Sequence, residues 1–330
     1  MDPLENILDR LAPELAVLEE RRRHALEQRG HAWTACVAAA VVAFIVALVA
    51  GQDFFPVSLI FAAVASVILG AILHSAMAGP AIREFSNGFK STLVRELVRA
   101  LAPGLDYFPA QGISSEEFLR TQLFTTRPDL YRTEDLLTGR IGECPVAIAE
   151  IHAQERRTRQ DSKGNSETYY VTIFQGLLMS ADFPKQFHGV TRILPDNEKS
   201  LFAGIGKAME GFFPFGSKDL VRLEDPEFET HFQVYSSDQI EARYLLSTSL
   251  MRRILDLRQA WGGCALRISF VDSSIHVAIP HKANFFEPNL QESLLEPSGE
   301  FQRIASEVRS CLELVEQLNL ETRIWSRSGS

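Results

Sequence analysis

The stretch WTACVAAAVVAFIVALVAGQDFFPVSLIFAAVASVILGAILHSAMA, residues 33–78, decides how this chain is organised. It holds two apolar runs, Trp33 to Ala50 and Val57 to Ala78, each near the ~20 residues a helix needs to cross a hydrocarbon core. Between them lies Gly51-Gln52-Asp53-Phe54-Phe55-Pro56, with a helix-stopping glycine and a helix-starting proline. Spans joined by so short a link run antiparallel, so both flanks share one side. Arg10, Arg21, Arg22, Arg23 and Arg29 precede the pair, and Arg83, Lys90, Arg95 and Arg99 follow it; the turn carries only Asp53. Positive flanks stay inside, so a two-span transmembrane hairpin with both termini cytoplasmic is expected. A signal peptide would need a shorter charged leader and a cleavage site, and it leaves the second run unexplained.

Within the runs, small residues recur at every fourth position: Ala35, Ala39, Ala43 and Ala47 on one, Ala62, Ser66 and Gly70 on the other. Such ladders let helix backbones approach closely in lipid, either inside the hairpin or between chains. His74, near the cytoplasmic end of the second run, reads as benign. No series of Asp, Glu or Lys crosses the apolar stretch, which argues against a transporter or channel.

Outward from the hairpin, three segments carry one apolar stripe each. Leu4, Leu8, Leu11, Leu15 and Leu18 form a heptad-like seam that suggests a coiled coil, with Pro13 expected to kink or restart the helix. Ile82, Phe85, Phe89, Leu93 and Leu97 follow an expected break at Gly79-Pro80. Phe301, Ile304, Val308, Cys311, Val315 and Leu318 form the third stripe. Such faces bury themselves on the chain's own domain or on a partner.

Between Ala102 and Pro297 the pattern is mixed. Ile141–Ala153, Tyr169–Leu178, Val190–Leu194, His231–Tyr235, Ala265–Val271 and Ser274–Ile279 read as strands, the last two joined by a tight Asp272-Ser273 turn. The polar run Gln154–Glu167 reads as a long hairpin tip. Ser114-Ser115-Glu116-Glu117 predicts a capping box. Asp225-Pro226, Asp238 and Ser247 predict three more helix starts. The expected fold class is α+β: a two-helix transmembrane hairpin plus a cytoplasmic antiparallel-sheet domain with flanking amphipathic helices. The expected boundaries are 1–30 for an amphipathic helix, 31–78 for the hairpin, 79–101 for a juxtamembrane helix, 102–297 for the α+β domain and 298–330 for a C-terminal helix and tail.

Catalytic signals are weak. A net charge of -9 argues against a nucleic-acid partner. The four cysteines, Cys36, Cys144, Cys264 and Cys311, have no metal-like spacing and read as reduced, packed thiols. Glu150 and His152 share a strand face but have no evident third partner. Gly204-Ile205-Gly206-Lys207 lacks the first glycine and the Ser/Thr of a phosphate loop. No catalytic residue, metal site or cofactor is assigned. Two membrane-surface candidates stand out. Phe202, Ile205, Met209, Phe212 and Phe213 make an apolar face among lysines that suits either the headgroup region or a lid on the domain. Arg156, Arg157, Arg159 and Lys163 cluster toward the hairpin tip, where they could meet anionic headgroups or an acidic partner.

The motifs YFPAQGIS, DLYRTEDLLTGRIG, VTIFQGLLMSADFPKQFHG, VRLEDPEFETHFQVYSSDQIEARYLLSTSLMRRIL and LRISFVDSSIHVAIP occur in this order. Together, over about residues 83–292, the chain resembles a bacterial family of membrane-anchored proteins of unknown function, DUF3137. The resemblance implies a protein of the bacterial inner (cytoplasmic) membrane with a cytoplasmic domain, and brings no activity or site residue with it. The leading expectation is a non-enzymatic, membrane-tethered binding or scaffolding protein contacting the bilayer and a protein partner or lipid headgroups. A hydrolase-like membrane enzyme acting on lipid or envelope precursors, and an oligomeric structural protein, are the alternatives.

Overall fold

The computed structural model describes residues 3–50, 55–160, 166–183, 185–196, 219–282, 284–294 and 299–318. The chain divides into two compact units, Met1–Leu97 with Phe286–Ala305, and Val98–Phe285 with Ser306–Ser330.

The first unit is built on two long helices, α1 (Pro3–Ala50) and α2 (Phe55–Phe89). Pro13 lies inside α1 and Pro80 inside α2, so neither proline ends its helix as the sequence suggested. A proline deletes one backbone hydrogen bond, and the side-by-side packing of two long helices holds the flanking turns in place. The irregularity falls later, at a π-helical turn, Lys90–Val94, that leads into α3 (Arg95–Leu101). Leu11, Leu15 and Leu18 of α1 and Phe85 and Phe89 of α2 are buried. At Gly88 a Cβ would lie 3.0 Å from Leu18 Cδ2, so the backbone of α2 sits directly against this stripe. Arg10 bonds Glu96 at 2.9 Å alongside. The leucine seam is thus covered by the same chain, and no coiled coil is shown.

Toward the apolar end the helices meet through small residues. Ala35, Cys36, Ala39 and Ala43 on α1, and Ser66 and Gly70 on α2, are half-buried, whereas Val41, Val42, Val67 and Ile72 are exposed. Cys36 Sγ donates to the Gly70 carbonyl at 3.2 Å. Among the described residues, one helical stretch, Ala63–Leu101, is long and apolar enough to cross a membrane.

The segment Phe286–Leu294 is tied to the helix pair by charge. Glu19 accepts from Arg22 and from the Leu294 N–H, and Arg22 Nη1 donates to the Leu290 carbonyl at 2.6 Å. The Arg22 hydrogen bond holds the Glu19 carboxyl at about 2, overriding the opposite pull of burial, with the Leu294 N–H adding to it.

Among the described residues the second unit holds an antiparallel sheet of nine strands: β1 (Leu105–Phe108), β2 (Leu130–Ile141), β3 (Cys144–Gln160), β4 (Ser166–Asp182), β5 (Thr191–Pro195), β6 (Leu220–Val221), β7 (Phe232–Ser236), β8 (Arg267–Val271) and β9 (Ser274–Pro280), in spatial order β1-β2-β3-β4-β9-β8-β5-β7-β6. The α+β class is therefore confirmed. One register row across the sheet reads Ile148, Met179, Val277, Ile268, Ile193, Val234 and Val221, all buried, as period-two alternation over an apolar core requires. The other face receives α4 (Ser115–Arg120), whose Phe118 stacks on Phe124 at 4.8 Å beside Phe174, Leu178 and Ala278. Helices α5 (Pro226–His231), α6 (Gln239–Leu245) and α7 (Thr248–Ala260) follow, and α8 (Glu300–Gln317) runs from one unit into the other.

Local chemistry explains the element starts. Ser114 and Glu117 form a full capping box, and Asp225, Asp238 and Ser247 each accept a backbone N–H at the helix they open. Asp272 and Ser273 both take positive φ, 51° and 60°, the backbone of a two-residue turn that follows strand twist.

Candidate interaction surface

Of the polar run 154–167 expected to be a hairpin tip, residues 154–160 and 166–167 are strand, and 161–165 lie outside the described residues. β2 stays with β3 as far as Leu130↔Gln154, and β9 stays with β4 only as far as Gly176↔Pro280. Beyond those points β3 and β4 continue with no other strand beside them among the described residues, paired from Glu155↔Val171 to Gln160↔Ser166. At ~3.4 Å per residue this two-stranded arm extends about 20 Å. Cross-strand pairs on the arm, Thr158↔Thr168, Arg157↔Tyr169 and Arg156↔Tyr170, suit a solvated ribbon. A bulge between Ala153 and Gln154 marks its root.

The arginine cluster is thereby split between two faces. Arg157 bonds Glu155 at 2.8 Å and Arg159 bonds Glu167 at 3.0 Å, so that face neutralises itself. The Glu155 hydrogen bond and charge raise the Arg157 pKa accordingly. Arg156 lies on the opposite face, across from Tyr170. Its backbone N–H is held by Asp129 at 2.8 Å, and its guanidinium has no ion pair among the described residues. Tyr169 and Tyr170 are 41% and 53% exposed, so the arm presents aromatic surface as well as charge. Lys163 lies outside the described residues, as do Phe202, Ile205, Met209, Phe212 and Phe213 and the Gly204–Lys207 motif.

At the root of the arm, beside the outer edge of β4, is a cleft of about 510 Å³. Phe124, Ile173, Phe174 and Pro280 give it apolar walls, with Phe124 and Phe174 4.9 Å apart. Arg267 lies over the Phe124 ring at 4.7 Å and donates to the Leu123 carbonyl at 3.2 Å. His281 and Lys282 complete the rim: the His281 N–H donates to the Gln175 carbonyl, and Gln175 Nε2 donates to the Lys282 carbonyl. Sequence reading missed this cleft, because its walls come from four separate segments. The one available signal was length: the β8–β9 hairpin is far too short to cover both ends of β4.

The residues that hinted at catalysis are engaged elsewhere. Glu150 is buried and accepts the Phe285 N–H at 2.9 Å, so it positions a loop, while His152 is half-buried and opposite Gln175. No described cleft is lined by the two together. Ser180 and His276 do meet, Oγ to Nδ1 at 2.9 Å. Burial pushes the His276 imidazole down to about 4, against the pull of Asp272, so it is neutral at physiological pH. The pair lies in a polar row with Ser269 and Arg192, and Ser269 is itself bonded to the Thr121 carbonyl at 2.5 Å. This arrangement pairs Ser180 with His276 and ties Ser269 to the end of α4. All four cysteines are free thiols; Cys144 and Cys311 are buried, Cys36 and Cys264 half-buried, and burial pushes the Cys264 and Cys311 thiols up.

Residues 172–320 match a family model described as a protein of unknown function (DUF3137). The match bears out the family resemblance and takes in most of β4 and all of α8. The crystal structure of the mycobacterial trehalose monomycolate transport factor A, TtfA, is similar at 14% identity, covering 71% of this chain and 97% of that one, with a TM-score of 0.31. A likeness at that level carries no conclusion about activity or ligand. No curated protein sequence matches the chain.

Proposed function

We propose that this chain, which carries the DUF3137 module over residues 172–320, is a membrane-tethered cytoplasmic binding protein that presents the β3–β4 arm to a protein partner. The observation that carries the reading is the arm itself: two strands outrun their neighbours and display Arg156, Tyr169 and Tyr170 to solvent. Building such a ribbon away from the core gives no burial in return, so its role lies in contact. Three arginines against two glutamates leave the described arm with little net charge, which favours a specific protein surface over general attraction to anionic headgroups.

Tethering is supported by the first unit. Val37, Val41, Val42, Phe44 and Ile45 on α1 and Val64, Val67, Ile68 and Ile72 on α2 are exposed, a contiguous apolar surface that water would not tolerate and lipid would cover. The arginine-rich flanks then put both termini in the cytoplasm, with two spans in the bacterial inner membrane.

The test is a photo-crosslinking residue at Tyr170 of the full-length chain in living bacteria. A discrete protein adduct is expected, lost when Arg156 and Arg157 are changed to Glu. A smear of lipid adducts alone, or no adduct, overturns the reading.

A further inference from the structure

The bulge at the root of the arm puts its extra residue, Ile173, on β4, so the alternation of β3 runs unbroken outward from Glu150. His152, Gln154, Arg156 and Thr158 therefore share one face. Arg132 and Leu130 of β2 stand opposite His152 and Gln154, and Thr172, Tyr170 and Thr168 of β4 stand opposite Gln154, Arg156 and Thr158. We propose that this strip, from Arg132 to Tyr170, is a docking face for an acidic segment of a partner protein. The inference rests on the arm reading above and names the face used and the chemistry of the partner.

Charge selects the partner. On the opposite face Arg157 and Arg159 are neutralised by Glu155 and Glu167. On the strip, Arg132 and Arg156 are exposed and have no ion pair among the described residues, with the half-buried His152 beside Arg132. The carboxylates that border the strip are turned to other tasks. Asp129 holds the Arg156 N–H at 2.8 Å. One row further in lie Glu134, half-buried, and Glu150, which is buried and holds the Phe285 N–H. In a chain with 42 acidic and 33 basic residues, an exposed basic face is the exception, and its complement is anionic. Arg132 lies level with His152, so along the ribbon it is about 14 Å from Arg156. Carboxylates about nine residues apart on a helix span the same distance. Tyr170 lies across from Arg156, and Tyr and Arg are the residues enriched at the centres of protein interfaces. Gln154, Thr158, Thr168 and Thr172 add directional hydrogen-bonding groups, which suit a protein surface better than a fluid layer of headgroups.

The test places p-benzoylphenylalanine singly at Thr172, on the strip, or at Tyr169, on the opposite face, of the full-length chain in living bacteria at matched membrane levels. Thr172 should give a discrete protein adduct whose crosslinked segment, read by mass spectrometry, is rich in Asp and Glu; Tyr169 should give none. Arg132→Glu, on an exposed side chain, should lower the Thr172 adduct about tenfold, as loss of a charge-assisted contact does. Arg159→Gln, on the self-neutralised face, should leave it within about twofold. Changing the acids of the crosslinked segment to Lys should restore the adduct to Arg132→Glu. Equal adducts from both faces, indifference to Arg132→Glu, or a segment without carboxylates overturns the proposal. Lipid adducts at Thr172 overturn it in favour of headgroups, and a silent Thr172 overturns it outright. If Tyr170 gives an adduct while Thr172 is silent, the strip falls and the arm reading stands. If Thr172 gives its acidic adduct and Tyr170 none, the reverse holds.

Discussion

Gly176 of β4 and the carbonyl of Ile279 of β9 approach so closely that a Cβ on the glycine would lie 2.0 Å from that oxygen. Gly176 also takes φ +149°, a backbone that side chains rarely adopt. The contact is where β9 leaves β4, so it sets where the arm's root and the cleft begin. Gly176→Ala is expected to cost about 2 kcal/mol or more, since both atoms in conflict are backbone. Chemical denaturation of the full chain, with hydrogen exchange at amides 175–178, 279 and 281, should show the last β4–β9 pairs opening first. Wild-type protection at those amides would contradict this.

Glu19 joins residues 286–294 to the helix pair. Its pKa is lowered from 4.5 to about 2, so its contribution is fully present above 4.5 and is lost as pH falls through about 2. Glu19→Ala removes the carboxylate that pairs with the buried Arg22 and accepts the Leu294 N–H, at a cost of about 3 kcal/mol. Exchange at amides 290–294 should accelerate in the variant at neutral pH, and in the wild type only in strong acid.

His276 predicts a second acid-sensitive step. Its imidazole is held at about 4 against an ordinary 6.5, so the folded state resists a proton that the unfolded chain accepts. Stability is undiminished above 6.5 and falls as pH drops from there to about 4. His276→Asn should flatten that slope in denaturation midpoints measured between pH 4 and 7. An unchanged slope would show that other groups carry it.

The α1–α2 contact predicts a crosslink within one chain. A Cβ at Gly70 would stand 3.6 Å from Cys36 Cβ, inside the range for a disulfide. Gly70→Cys, oxidised in membranes, should give a monomer of altered mobility that reverts with reductant and is lost when Cys36→Ala is added. A disulfide-linked dimer would instead assign the small-residue ladders to oligomers.

How much was legible follows from where each signal resides. Helix starts at Ser114, Asp225, Asp238 and Ser247 depend on a few neighbouring residues, and the sequence shows them. The Asp272-Ser273 turn and its flanking strands are equally local. β1 and β2 were missed: β2 reads LYRTEDLLTGRI, its alternation broken by a bulge between Glu134 and Leu137 where Asp135 is buried and takes the Tyr107 hydroxyl's hydrogen bond. The prolines misled because local propensity speaks for an isolated helix, whereas α1 and α2 are held by each other. The polar residues 154–160 and 166–167 read as hairpin tip because they lack an apolar alternation, though strand geometry needs only a paired backbone. The cleft needed the sheet order, which no single segment encodes.

The central claim is a domain held at the membrane by residues 33–78 with its arm in the cytoplasm, and alkaline extraction combined with a fluorescent reporter fused after Ser330 tests it most directly. The account predicts that the full-length protein stays in the membrane pellet and that the reporter fluoresces in the cytoplasm. Recovery in the soluble fraction, or a reporter active only in the periplasm, would contradict it.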